Sequence, residues 1–123
     1  MANLNVEFNF SGFKELEKLM QKSAKVEQEV KKEVKSNGNE LKKRMVKFAD
    51  FKKGYQTGNT KRSIQEHISN DGLSVTVGPT TEYAPYLEYG TRYMEAQPFV
   101  RPAFEVQVPK FVRDLNNIIK ENT

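Results

Sequence analysis

Residues 11–50 read SGFKELEKLMQKSAKVEQEVKKEVKSNGNELKKRMVKFAD, and the fold turns on whether they form one helix or two. Ser11 is placed as an N-cap, with Glu15 in the first turn. Phe13, Leu16, Leu19 and Met20 give a first apolar face. Val26, Val30, Val34, Leu41, Met45 and Phe48 continue it in steps of four, four, seven, four and three, which hold helical phase. Asn37-Gly38-Asn39 is a turn signal inside the seven-residue step. Because the phase survives it, the spacing predicts one long helix to about Ala49, with Gly38 costing roughly 1 kcal/mol. The alternative is two helices broken at Asn37. Gly38 also suits a place where a neighbouring backbone comes close.

Around this helix the other elements are short. Leu4, Val6, Phe8 and Phe10 alternate with Asn5, Glu7 and Asn9, the pattern of a half-buried strand. Residues 50–59, DFKKGYQTGN, read as an exposed, mobile loop. Asn70-Asp71-Gly72 separates two strand-like runs, Thr60 to Ser69 and Leu73 to Gly78, and marks a hairpin. Pro79 ends the second run. Pro102 is placed to open a C-terminal helix, and Phe111, Val112, Leu115, Ile118 and Ile119 give its apolar face. Pro109 is expected to kink or split that helix, and a strand over Ala103–Val108 is the alternative. The fold class is therefore α+β. A small antiparallel sheet, made of the N-terminal strand and the hairpin, packs with one long N-terminal helix and a C-terminal helix. At 123 residues the chain is one domain by size, 1–123.

Composition narrows the function classes. Charged residues make up 29% and hydrophobic ones 37%, polar for a globular domain. There is no cysteine, which excludes disulfides and thiolate metal sites. No apolar run is long enough to span a membrane. The N-terminus lacks the basic head and apolar core of a secretory signal. Net charge is +5 over residues 1–54 and −2 over residues 55–98. Most of the basic residues alternate with glutamates on a helical pattern, the usual solvated surface. Aromatics are not interleaved with them as a base-stacking surface needs.

Nothing assembles a catalytic or metal site. The single histidine, His67, has Ser63 four residues before it but no third orienting group. No metal-ligand spacing and no glycine-rich phosphate loop is present. Glu82, Glu88 and Glu95 read as rim charges. The chain is expected to be no enzyme and to need no cofactor.

The most distinctive stretch is Tyr83–Phe104, YAPYLEYGTRYMEAQPFVRPAF. It holds four of the five tyrosines and three of the five prolines. Aromatics in short irregular backbone pack either on their own core or on a neighbouring chain, and both readings stand on residue type alone. Tyrosine suits a neighbour, since its ring buries apolar area while its hydroxyl stays near water. Tyr83–Tyr89 suits a short helical turn with Pro85 near its start, which Gly90 can stop with a positive φ.

The runs Y-A-P-Y-L-E-Y-G-T and M-E-A-Q-P-F-V-R-P-A-F resemble the signature of a family of small tailed-bacteriophage neck proteins, also called head–tail joining, tail-completion or minor tail proteins. Residues 57–64, TGNTKRSI, resemble the stretch before the family's first hairpin strand, although Thr60 stands where an apolar residue is more usual. Pro109 departs from the family pattern, which runs one helix through that region. The resemblance covers roughly residues 55–120 and the long helix in outline.

It implies a structural virion protein, forming a ring in the neck that joins the tail to the DNA-filled head and completes the tail. The implied partners are further copies of itself, in a ring of about six or twelve, and the head-closure and tail-terminator or tail-tube proteins. DNA is met only as it passes the lumen, and no membrane is involved. The implied location is the virion, reached after assembly in the host cytoplasm. From the resemblance and residue type together, Tyr83, Tyr86, Glu88, Tyr89, Phe99 and Arg101 are candidate subunit-interface residues. Gly90, Pro98 and Pro102 are candidates for holding the bend that presents them. A tail-terminator ring is the neighbouring alternative. A small basic nucleic-acid-binding protein is the alternative of another class.

Overall fold

The computed structural model describes residues 4–50 and 57–123, in the order β1 (Val6–Asn9), α1 (Lys14–Lys22), α2 (Ala24–Phe48), α3 (Thr57–Ser63), β2 (Gln65–Ile68), β3 (Ser74–Gly78), α4 (Ala84–Tyr89) and α5 (Val100–Glu121). The three strands form one antiparallel sheet in the order β1-β3-β2. The fold is thus α+β, with the hairpin and N-terminal strand joined as the alternation predicts.

Sheet register sorts the side chains by face. Phe8 and Ile68 flank Val75, and Val6 and Glu66 flank Val77. Val75 and Val77 are buried against α2, whereas His67 and Glu7, both beside Thr76, are exposed on the opposite face. The lone histidine is thus a surface group on the open side of the sheet. In the hairpin turn Gly72 takes φ +73°. Asp71 Oδ1 accepts from the Ser69 hydroxyl at 2.6 Å and from Leu73 N at 3.0 Å, and these bonds hold its carboxyl below the usual range.

The long helix expected from the spacing is broken, but not at Asn37, the one position the sequence weighed. Helix α2 runs unbroken through Asn37-Gly38-Asn39. The chain turns instead at Ser23, which is extended at φ −145° and ψ 117°. Ser23 ends α1 through its N–H to Leu19 O, and its Oγ accepts from Val26 N at 3.4 Å to start α2. One serine serves both ends because it competes with helical backbone and is favoured as an N-cap. Ser11 is not the cap: it lies in a turn, its N–H bonded to Asn9 Oδ1 at 2.9 Å, and α1 starts three residues later.

Two further expectations change. Residues 57–63 are helical and the first hairpin strand begins only at Gln65, so neither a loop through Asn59 nor a strand from Thr60 is correct. The remainder of the expected mobile loop, residues 51–56, lies outside the described residues. Pro109 neither splits α5 nor converts Ala103–Val108 to a strand. It stands on the exposed face of the helix, as does Glu105, whose carbonyl loses its usual partner.

Gly38 marks a close approach, but to a side chain. A Cβ there would lie 2.6 Å from Val75 Cγ2, so the missing methyl is what lets α2 settle on the centre of the sheet. Helix α5 runs antiparallel beside α2. Three polar links show it: Arg44 with Gln107, Asn37 with Asp114, and Glu29 with Asn122. Phe111 of α5 stacks on Phe8 of β1 at 4.8 Å and 7°, tying the helix back to the sheet.

Asn37 and Gln107 are fully buried between the two helices. Gln107 Nε2 donates to Asn37 Oδ1 at 2.7 Å and to Glu40 Oε2 at 2.9 Å, while its Oε1 accepts from Arg44 at 2.8 Å. Asn37 Nδ2 donates to Asp114 at 3.1 Å and to the Glu33 carbonyl at 2.9 Å. Lys110 pairs with Glu40 at 3.0 Å and Asp114 at 3.1 Å. Both side-chain amides are therefore satisfied, which makes the network a register lock.

Its charges sort accordingly. Burial, and then repulsion by Asp114, raise the Glu33 carboxyl above its ordinary value. Burial opposes ionisation of Asp114 and Glu40, but hydrogen bonds from Asn37 and Lys110 to the first, and from Gln107 and Lys110 to the second, hold both below theirs.

Gly38→Ala is expected to lower stability. Overpacking costs about 1–3 kcal/mol, against roughly 1 kcal/mol gained in helix propensity. Adding Val75→Ala should recover part of the loss in thermal melts. Asp114 contributes stability that is present above its unfolded value of 3.8 and lost as pH falls through the lower folded value. Denaturation of Asp114→Asn between about pH 2 and pH 5 should therefore show a flatter acid limb than the parent chain.

Candidate functional site

Segment 83–104 forms a closed structural unit. Tyr83 opens α4, with Pro85 in the first turn. Gly90 ends it at φ +77°, donating to Tyr86 O at 2.8 Å. A Cβ on Gly90 would lie 2.8 Å from Ala96 N and 2.9 Å from Met94 O, so glycine is required by both conformation and space. Thr91 and Met94 then pair across a tight bridge. Gln97 N returns to Leu87 O at 2.7 Å, which brings the chain back alongside α4 before α5 begins.

The joint between α4 and α5 is made by Glu88. Its carboxylate is buried. Oε1 accepts from Phe99 N at 2.9 Å and Val100 N at 2.8 Å, and Oε2 accepts from Arg101 N at 3.1 Å. A helix leaves its first four N–H groups without internal partners. Here three of them go to one carboxylate, and the fourth position is Pro102, which has no N–H to satisfy. The negative charge also lies at the positive end of the helix dipole. Glu88 is therefore not a rim charge as the sequence suggested; Glu82 and Glu95 are exposed.

The six candidate interface residues are brought together in this unit, in two layers. Phe99 is fully buried in the chain's own core, with Leu87 and Ala84. Tyr83 is half-buried, and its enclosed hydroxyl finds no partner among the described residues. Outside them stand Tyr86 and Tyr89, 58% and 67% exposed, and Arg101, which pairs with Glu105 at 3.0 Å. Tyr89, Arg101 and Phe104 border an open groove of about 330 Å³ whose other wall is the start of β1. Sequence reasoning missed Tyr93, the most exposed ring among the described residues at 88%. It sits at the tip of the 91–94 bridge with the Arg92 guanidinium 5.4 Å from its centroid. Only its place inside the aromatic stretch could have signalled it.

Of the bend residues, Gly90 holds the turn, Pro98 is exposed just before the N-cap, and Pro102 sits at the third position of α5 rather than opening it. Among the described residues no cluster of three or more His, Cys, Asp or Glu could hold a metal. No described helix is long and apolar enough to cross a membrane.

Exposed tyrosines are thus fixed on a rigid joint of an α+β domain. A family model described as "Bacteriophage HK97-gp10, putative tail-component" matches residues 14–90. The match takes in more than half of the chain, which belongs to this HK97-gp10-like family of phage tail components. It runs from α1 to the glycine that ends α4, so the capped start of α5 lies beyond it. No curated protein and no solved structure matches the chain. The family gives it a structural role in the phage tail and a place in the virion.

Glu88→Ala should leave three backbone donors at the start of α5 without their acceptor. The expected loss is at least about 2 kcal/mol. Glu88→Gln, which keeps one acceptor oxygen, should fall between the two. Urea denaturation of the three proteins checks the order.

Proposed function

We propose that this tail component is a ring subunit of the head–tail neck, joining the tail to the DNA-filled head and completing the tail. The observation that carries the reading is the exposure of Tyr86, Tyr89 and Tyr93 on a segment anchored at both ends. Such rings are costly to leave in water on a monomer and are typical anchors of protein interfaces. Their backbone is already ordered, so docking them loses little conformational entropy.

In a closed ring each copy offers one surface to the copy before it and a different one to the copy after it. Tyr86 and Tyr89 with Arg101 form one of these surfaces, and Tyr93 extends it. Tyr83, Glu88 and Phe99 support it from beneath, through packing and the helix cap. Head-closure proteins on one side and tail-terminator or tail-tube proteins on the other are the remaining partners. Assembly takes place in the host cytoplasm.

The double variant Tyr86→Ala/Tyr89→Ala is expected to keep the circular dichroism and melting behaviour of the parent chain. It should fail to form rings in light scattering and negative-stain images with its neck partners, and phage carrying it should accumulate separate heads and tails. Normal particles from this variant would sink the proposal.

A further inference from the structure

The outward face of α2 carries a band that the assembly reading does not use. From residue 32 to residue 47 it presents Lys32, Lys35, Lys42, Lys43 and Lys47, with Ser36, Asn39 and Val46 between them. Lys32, Lys35 and Lys43 border one surface groove with Ser36, Asn39 and Glu40, and Lys42 and Lys43 border the next with Asn39 and Val46. The lysines therefore share one side of the helix, over a length of about 22 Å at 1.5 Å per residue. The buried side of α2 is Val34, Asn37, Gly38, Leu41 and Met45.

Among the described residues these lysines stand outside the ion pairs of the molecule. Lys25 and Lys31, outside the band, are paired with Glu29 and Glu27, but among the described residues none of the five makes an ion pair. The nearby Glu40 is turned to Lys110 and Gln107 of α5. Three carboxylates lie near the band: Glu40 on the edge of its first groove, Glu33, which feels Lys32, and Glu66 of β2, which is partly buried and feels Lys42 and Lys35.

We infer that this band is a binding surface for the phosphate backbone of duplex DNA, without base reading. Three features select that partner. Lysine is depleted from protein–protein interface cores and is the commonplace neutraliser of phosphate. The band holds no aromatic ring, so it offers nothing for unstacked bases to lie on. It holds no arginine and little hydrogen-bonding variety for base edges. The choice of DNA among duplex polyanions rests on the neck reading; the band itself does not depend on ring formation.

The test is fluorescence anisotropy of a labelled duplex of about 30 base pairs against the full chain over a salt series. Five phosphate contacts give a slope of about −4.5 in log K against log salt, hence about a 500-fold weakening from roughly 50 to 200 mM. Binding should not change between duplexes of different sequence. Lys35→Gln/Lys42→Gln/Lys43→Gln should flatten the slope by about 2.7, and Arg at the same three positions should retain it. Lys14→Gln/Lys18→Gln/Lys22→Gln on α1 serves as the control and should bind as the parent does.

Absence of binding at low salt, full binding by the α2 glutamine variant, or loss in the α1 control would each overturn the inference. So would a glutamine variant that loses ring formation while the parent ignores DNA, which would make the band a contact between copies. Rings that form normally from a chain that does not bind DNA would leave the neck reading standing without this surface.

Discussion

The carboxylate of Glu88 is the interaction on which the distinctive half of the molecule depends. Two helices that are separate in sequence are fixed to one another because the last turn of α4 supplies the acceptors that the first turn of α5 lacks. Without it, a helix start with Phe99 and Val100 buried would leave backbone donors shut away from water, a cost comparable to a lost hydrogen bond for each. The other features of the stretch follow from that joint. Gly90 reverses the chain where no side chain fits, Gln97 ties the return strand to Leu87, and Pro102 removes the one donor the carboxylate does not reach.

The same joint separates what the aromatic stretch does inside from what it shows outside. Phe99 and Leu87 fill the core, whereas the rings of Tyr86, Tyr89 and Tyr93 face solvent. Residue type could not make that division, because tyrosine and phenylalanine suit either place. The rigid base beneath those exposed rings is the buried carboxylate and its three donors.

The remainder of the fold is held by α2, which has three unlike faces. One carries valines and Gly38 down onto the sheet, one carries the Asn37–Gln107 network to α5, and one carries the band of lysines. The polar face matters for alignment. Apolar ridges tolerate sliding by a turn, whereas a buried amide shifted out of reach of its partner is left unsatisfied. The antiparallel setting of α5 against α2 is therefore specified by few side chains at defined spacing.

The sequence alone determined the α+β class, the hairpin at Asn70–Gly72, the unbroken phase of α2 through Gly38 and the short helix closed by Gly90. Each rests on local periodicity or local backbone chemistry. It missed the helical break, because the apolar spacing carries across Ser23 and gives no sign that the serine caps in both directions. It expected Pro109 to interrupt α5, because a lost backbone bond is visible in sequence while the packing that holds the helix on either side is not. Only the tertiary structure decided that Glu88 is a buried cap and not a rim charge, and that Phe99 lies inside while its tyrosine neighbours lie outside. Those assignments depend on contacts between residues eleven to thirteen positions apart, or between separate helices, and no local pattern encodes such distances.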